Sequence, residues 1–150
     1  MHQTVSNGIT TTAMRGFYEK HVKGNRAYEN HTTADMYEII KDITREQKVS
    51  YCEYLRTDDA SITPEDLDAM VGTVDIFVSH AWKYNFYEFL CALEARFGPN
   101  VKLWIDIFCH NQHEELSSDD WINNFETHVK RMKSTVMIVF PWNNPIPLTR

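Results

Sequence analysis

Apolar and polar positions alternate in different rhythms in the two halves of the chain. Met36, Ile39, Ile40 and Ile43 recur at i, i+3, i+4 and i+7, which predicts one buried helix face. Thr33 or Asp35 is the expected cap. The next stretch, Lys48 to Leu55 (KVSYCEYL), is rich in β-branched and aromatic residues and fits an extended piece or a second helix equally. Thr63-Pro64-Glu65-Asp66 predicts a helix start, with Thr63 as N-cap, Pro64 in the first turn and two acids facing the helix dipole. Gly72 is expected to stop that helix. Before residue 31 the pattern is polar, interrupted by Gly8, Gly16 and Gly24, and it predicts a flexible or irregular arm over 1–30.

The second half has shorter apolar runs between helical stripes. Thr73–Ala81 (TVDIFVSHA) reads as a strand buried on both faces. Phe86, Phe89, Leu90 and Leu93 form a helical stripe ended by Phe97-Gly98-Pro99. Val101–Phe108 (VKLWIDIF) reads as a second strand, followed by a polar loop, CHNQHEELSSDD. Trp121, Phe125, Val129 and Met132 predict one helix face, capped by Ser118 or Asp119, and Ser134–Phe140 a third strand. Strand, helix, strand, helix, strand with short connections predicts right-handed crossovers and a parallel sheet. The expected organisation is an arm over 1–30, a helical extension over 31–72 and an α/β domain over 73–150. Three parallel strands make a small sheet with an open outer edge. The helical half is expected to cover part of it, or the chain to stop before the fold is complete.

Composition narrows the function. A length of 150 residues fits one domain, with 43% hydrophobic and 13% aromatic residues. A formal charge of −6 argues against a nucleic-acid binder and against attachment to an anionic membrane, both of which need basic surface. The basic run from His128 to Lys133 reads as a solvated helix end. Three cysteines, Cys52, Cys91 and Cys109, do not form a disulfide framework and point to a reducing compartment. The N-terminus lacks the apolar stretch of a signal peptide, and the apolar runs around Ile76 and Val136 are too short to span a bilayer. A cytoplasmic location is expected.

Ligands of parallel sheets bind beyond the carboxyl ends of the strands. Ser79, His80 and Trp82 fall there, where they can hydrogen-bond and stack on a nucleotide. Equally, the first two can satisfy buried backbone groups while Trp82 packs on the N-terminal helices. Ser79 and His80 are sequence neighbours on a strand and point to opposite faces, so they do not form a nucleophilic dyad. Asp106, in an apolar run, must find hydrogen bonds; it reads as a functional acid or, preferred, as a structural one bonded to a loop N–H or a basic group. Phe108 closes the same run, and Trp142 follows the third strand onto the same rim, with Asn143 and Asn144 turning the chain. Cys109, His110 and His113 do not have zinc-ligand spacing, and Glu114 or His80 would complete a site only by coincidence of folding. Lys83, Arg131 and Arg150 are scattered, and neither glycine-rich phosphate motif occurs.

Asp75–Trp82 (DIFVSHAW), Leu103–Phe108 (LWIDIF) with the loop CHNQHEE, and the tail PWNNPIPLTR together resemble the Toll/interleukin-1 receptor (TIR) superfamily, in a branch found in large eukaryotic microbial proteins. The resemblance covers Thr73 to Arg150. It implies a flavodoxin-like parallel sheet with flanking helices, with the loop after Phe108 at the position of the superfamily's BB loop. It also implies a signalling or self-association module that meets other TIR-like domains or its own copies. Some members cleave NAD with a glutamate on a helix after the third strand, in a context like Ser-x-Trp-Cys-x-x-Glu. This chain ends at Arg150, where that helix is expected to begin. Glu88 and Glu94 lie on the first helix and do not match, so no catalytic residue is transferred. The alternative the resemblance implies is an incomplete NAD hydrolase with NAD as nucleotide ligand. Ser79, His80, Trp82, Asp106, Phe108 and Trp142 would then line its binding rim.

Overall fold

The computed structural model describes residues 7–25, 31–57, 62–114, 123, 126–127, 129–130 and 134–138. In chain order the elements are β1 (Gly8–Ile9), α1 (Thr11–His21), α2 (Thr33–Ile43), α3 (Tyr51–Thr57), α4 (Pro64–Asp68), β2 (Val71–Gly72), β3 (Ile76–Ser79), α5 (Phe86–Arg96), β4 (Leu103–Trp104), α6 (Asp106–Cys109) and β5 (Ser134–Met137). The strands form one mixed sheet in the order β2-β1-β4-β3-β5. β3 pairs in parallel with β4 and β5, whereas β1 pairs antiparallel with both β2 and β4. The architecture is α/β, and the all-parallel sheet expected from the second half is only its β4-β3-β5 part.

The N-terminal segment is the main correction. The expected irregular arm over 1–30 contains a strand and a helix in its described part. Thr10 caps α1 by accepting from the Ala13 N–H at 3.2 Å, and donates to the Ala69 carbonyl at 2.9 Å, which ties the helix start to the chain before β2. Gly8 lets β1 lie against β4: a Cβ there would stand 3.0 Å from Lys102 Cβ and 3.1 Å from its carbonyl carbon. Gly72, expected to end a helix, lies instead in β2 opposite Gly8. The short α4 ends at Asp68, with its expected start at Thr63 intact: the Asp66 N–H donates to the Thr63 hydroxyl at 3.2 Å.

Two other expectations change. KVSYCEYL resolves as helix from Tyr51, with Tyr51, Cys52 and Leu55 buried. The expected strand Val101–Phe108 is a two-residue strand followed by a helical turn, α6. Asp106 starts the turn by accepting its neighbour Ile107's N–H at 2.8 Å, while Phe108 and Cys109 donate to the Ile105 carbonyl. Leu103–Cys109 is buried throughout, so a side-chain rhythm that would separate strand from turn is missing. In α2 the expected helix is present, and Thr32 is its cap: its N–H and hydroxyl donate to the Asp35 carboxylate at 2.9 and 3.0 Å. Residues 123, 126–127 and 129–130 are helical. Trp121, Phe125, Met132 and both expected caps lie outside the described residues, as do 139–140 of the third expected strand.

One apolar core joins the three expected segments. Met14 and Phe17 of α1, Met36 and Ile40 of α2 and Tyr51 and Leu55 of α3 pack with Phe86, Leu90 and Phe108. Phe17 sits edge-on to Tyr51, Phe86 and Phe108, with ring centroids 5.3, 5.8 and 5.2 Å away. Each such pair contributes about 0.5–1.5 kcal/mol beyond its area burial. The N-terminal helices are therefore part of the core, and the helical segment expected over 31–72 packs into it.

Candidate functional site at the carboxyl rim of the parallel strands

Because β3, β4 and β5 run the same way, the segments that leave them, 80–85, 105–114 and 138, emerge on one edge of the sheet. Hydrogen bonds stitch that edge together. The Ile138 N–H donates to the Ser79 carbonyl at 2.9 Å, and the Tyr84 hydroxyl donates to the Ile138 carbonyl at 3.0 Å. The first turn of α2 closes over it: the Thr33 and Ala34 N–H groups donate to the carbonyls of Tyr84 and Trp82 at 2.8 and 2.9 Å. Helix N-termini carry donors with no partner in their own helix, and here the loop after β3 supplies the acceptors.

Trp82 stands between two helices. Its indole N–H donates to both oxygens of Asp106, at 3.2 and 3.0 Å, and its ring lies 6.1 Å from that of Tyr37 on α2. Asp106 is buried, and its Oδ1 also accepts the Ile107 N–H. The carboxylate thus holds donors from two directions and joins the loop after β3 to the head of α6. One donor comes from the loop after β3 and the other from the first turn of α6.

His80 is buried, with its ring stacked 4.3 Å from Phe89 of α5 at an interplanar angle of 21°. Ser79 and Trp82 are half-exposed. Phe108 is fully buried among Phe17, Tyr51 and Phe86, so it belongs to the core and not to the rim surface. The structure thus brings Ser79, His80, Trp82 and Asp106 to one edge and places Phe108 behind them. Trp142, Asn143, Asn144, Arg131 and Arg150 lie outside the described residues.

The polar loop after α6 is pinned to the N-terminal helices. The Gln112 amide donates to the carbonyls of Asp106 and His110 at 2.8 and 3.1 Å, and the Asn111 amide to that of Lys48 at 2.8 Å. His113 Nε2 lies 2.8 Å from the Thr44 hydroxyl. That hydroxyl also lies 2.8 Å from the Ile40 carbonyl, so it stands between the ring and the end of α2. Desolvation, reinforced by Lys41, Lys48 and Arg45, lowers the His113 pKa from its ordinary 6.5. Cys109 and His113 have different partners, Leu103 and Thr44, and among the described residues no group of three or more His, Cys, Asp or Glu side chains could hold a metal ion.

A polar cleft of about 390 Å³ lies between the end of α1 and α2, beside His21, Glu38, Asp42 and Arg45, and shares no residue with the rim. Among the described residues no helix is long and apolar enough to cross a membrane. Tyr84 and Gln112, which hold the rim together, carry no motif and are recognisable only from the folded contacts. Comparison with protein-family models, with curated proteins and with solved structures finds no match to this chain.

Proposed function

We propose that this chain is a TIR-like signalling or self-association module whose contact surface is the carboxyl rim and the loop around His110. The observation that carries this reading is the parallel set β4-β3-β5. Taken in chain order these strands stand second, first, third, the order with which a flavodoxin-like sheet begins. The resemblance of Asp75–Trp82 and Leu103–Phe108 to the first two TIR strands falls on the same elements. The antiparallel β1 and β2, added beyond β4, depart from that pattern and make a family-specific extension of the sheet.

The chemistry of the rim favours contact over turnover. Asp106 is occupied by Trp82 and Ile107, and His80 is stacked away from solvent on Phe89. A fixed loop with half-exposed His110, Asn111 and Gln112 presents polar groups to another protein surface. Sedimentation velocity from micromolar to millimolar protein tests this. Reversible association, weakened by His110→Asp with the melting temperature unchanged, is expected; a strict monomer that also ignores every TIR-like partner would sink the proposal.

A second reading, a nucleotide-handling domain with NAD as ligand, draws on Ser79 and Trp82 remaining half-exposed at the same edge. Calorimetric titration with NAD separates the two. Saturable binding lost in Trp82→Ala favours the nucleotide reading, and no heat of binding leaves the interaction module.

A further inference from the structure

Cys52 of α3 and Cys109 of α6 are free thiols, both buried, and their sulfur atoms stand 3.6 Å apart. We propose that this pair is an oxidation site, a dithiol that a hydroperoxide converts to an intramolecular disulfide joining α3 to α6. The site stands whether the rim meets a protein or a nucleotide.

The two sulfurs have different surroundings, which sets their order of reaction. Cys52 donates its S–H to Cys109 Sγ, and the Ile105 N–H points at the same Sγ at 3.4 Å. As a thiol, Cys109 donates to the Leu103 carbonyl at 3.5 Å. Two donors, the Cys52 S–H and the Ile105 N–H, thus converge on the Cys109 sulfur, which places it as the one that reacts first. Burial pushes the Cys52 thiol up, so it stays protonated while Cys109 reacts first.

Cys109 thiolate attacks one peroxide oxygen, the O–O bond breaks, and the departing oxygen takes a proton to leave as water or alcohol. Cys109 is now a sulfenic acid. The Cys52 sulfur attacks the sulfenic sulfur, the S–O bond breaks, and the hydroxyl leaves as water with the Cys52 proton. The two thiols lose two electrons and the peroxide gains them. Both sulfurs lie inside the core, so the oxidant reaches them through openings of α3 and α6, and the rate follows those openings.

Cys91, the third cysteine, is half-buried on α5 with its sulfur 3.8 Å from the Arg15 guanidinium, and is removed for the test as Cys91→Ser. That protein is treated with hydrogen peroxide, alkylated and weighed intact. The expected result is the mass of one lost hydrogen pair, no covalent dimer, and a Cys52–Cys109 peptide in the non-reducing digest. The melting temperature should rise by about 5–15 °C and return on reduction, as for a long closed loop. With Cys52→Ser added, a sulfenic acid should accumulate at Cys109 and be trapped by dimedone. The proposal is overturned by covalent dimers, by oxygen added to either sulfur with no cross-link, or by an unchanged mass in mild urea where alkylation shows both thiols reachable.

Discussion

The indole N–H of Trp82 is shared between the two carboxylate oxygens of Asp106, at 3.2 and 3.0 Å. The pair crosses the carboxyl rim and joins the loop after β3 to the start of α6. Trp82→Phe keeps the ring and removes the donor, leaving a buried carboxylate short of a partner. The expected cost is about 1–3 kcal/mol in urea denaturation. Asp106→Asn, which still accepts one hydrogen bond, should cost less, and the double variant should cost less than the two single losses added. Full additivity would show that the two side chains do not act together.

Phe108 tests whether the N-terminal helices belong to the core. It packs within 6.0 Å, ring to ring, of Phe17, Tyr51 and Phe86, which come from three helices. Phe108→Ala should cost about 3–5 kcal/mol, as for a fully buried ring. Ser79→Ala, at a half-exposed position, should stay within about 0.5 kcal/mol. Removing residues 1–22, which carry β1, Met14 and Phe17, should abolish the cooperative thermal transition. A truncated chain that melts like the full one would restore the picture of a detachable arm.

His113 makes stability depend on pH. Its folded pKa is lowered from 6.5, through desolvation first and then through Lys41, Lys48 and Arg45. Between the folded and unfolded values the unfolded chain binds more protons, so stability rises with pH across that window. The contribution is whole above 6.5 and is lost as pH falls through the folded value. His113→Gln keeps a hydrogen-bond partner for Thr44 and should flatten this part of the stability–pH curve. Lys48→Gly should raise the His113 pKa by removing one of the three cations, seen as a shift in its ring-proton NMR titration. The same change relieves a non-glycine φ of +54° and should add about 1 kcal/mol of stability. An unmoved titration would show that Lys48 does not act on the ring.

Several elements were legible in the chain because their signals are local. The stripe of Met36, Ile39, Ile40 and Ile43 is a helix since a period of 3.6 puts those side chains on one face. Thr63-Pro64 starts a helix because the cap and the missing N–H are properties of those residues alone. The parallel pairing of β3 with β4 and β5 follows from the alternation of strands and helices. Ser79, His80 and Trp82 fall on the rim for the same reason, since each ends or follows a recognisable run, whereas Asp106 stands out as the one acid inside an apolar run. Phe108 lies behind the rim because Leu103–Cys109 is buried throughout and apolar but for Asp106, and such a run looks alike as strand or as turn.

What the sequence determined alone is the α/β character, the helix start at Thr63 and the edge at which the parallel strands end, because period and capping act over a few residues. The tertiary structure decided the rest. Gly8 and Ile9 carry almost no strand signal by themselves; they are a strand because β4 offers open backbone groups and Gly8 admits the close approach. The buried Asp106 carboxylate has a second donor because Trp82, distant in the chain, brings an N–H to it. Cys52 and Cys109 are a pair because α3 packs on α6. Contacts between residues far apart in sequence depend on how whole elements share one core, and local pattern holds no record of that.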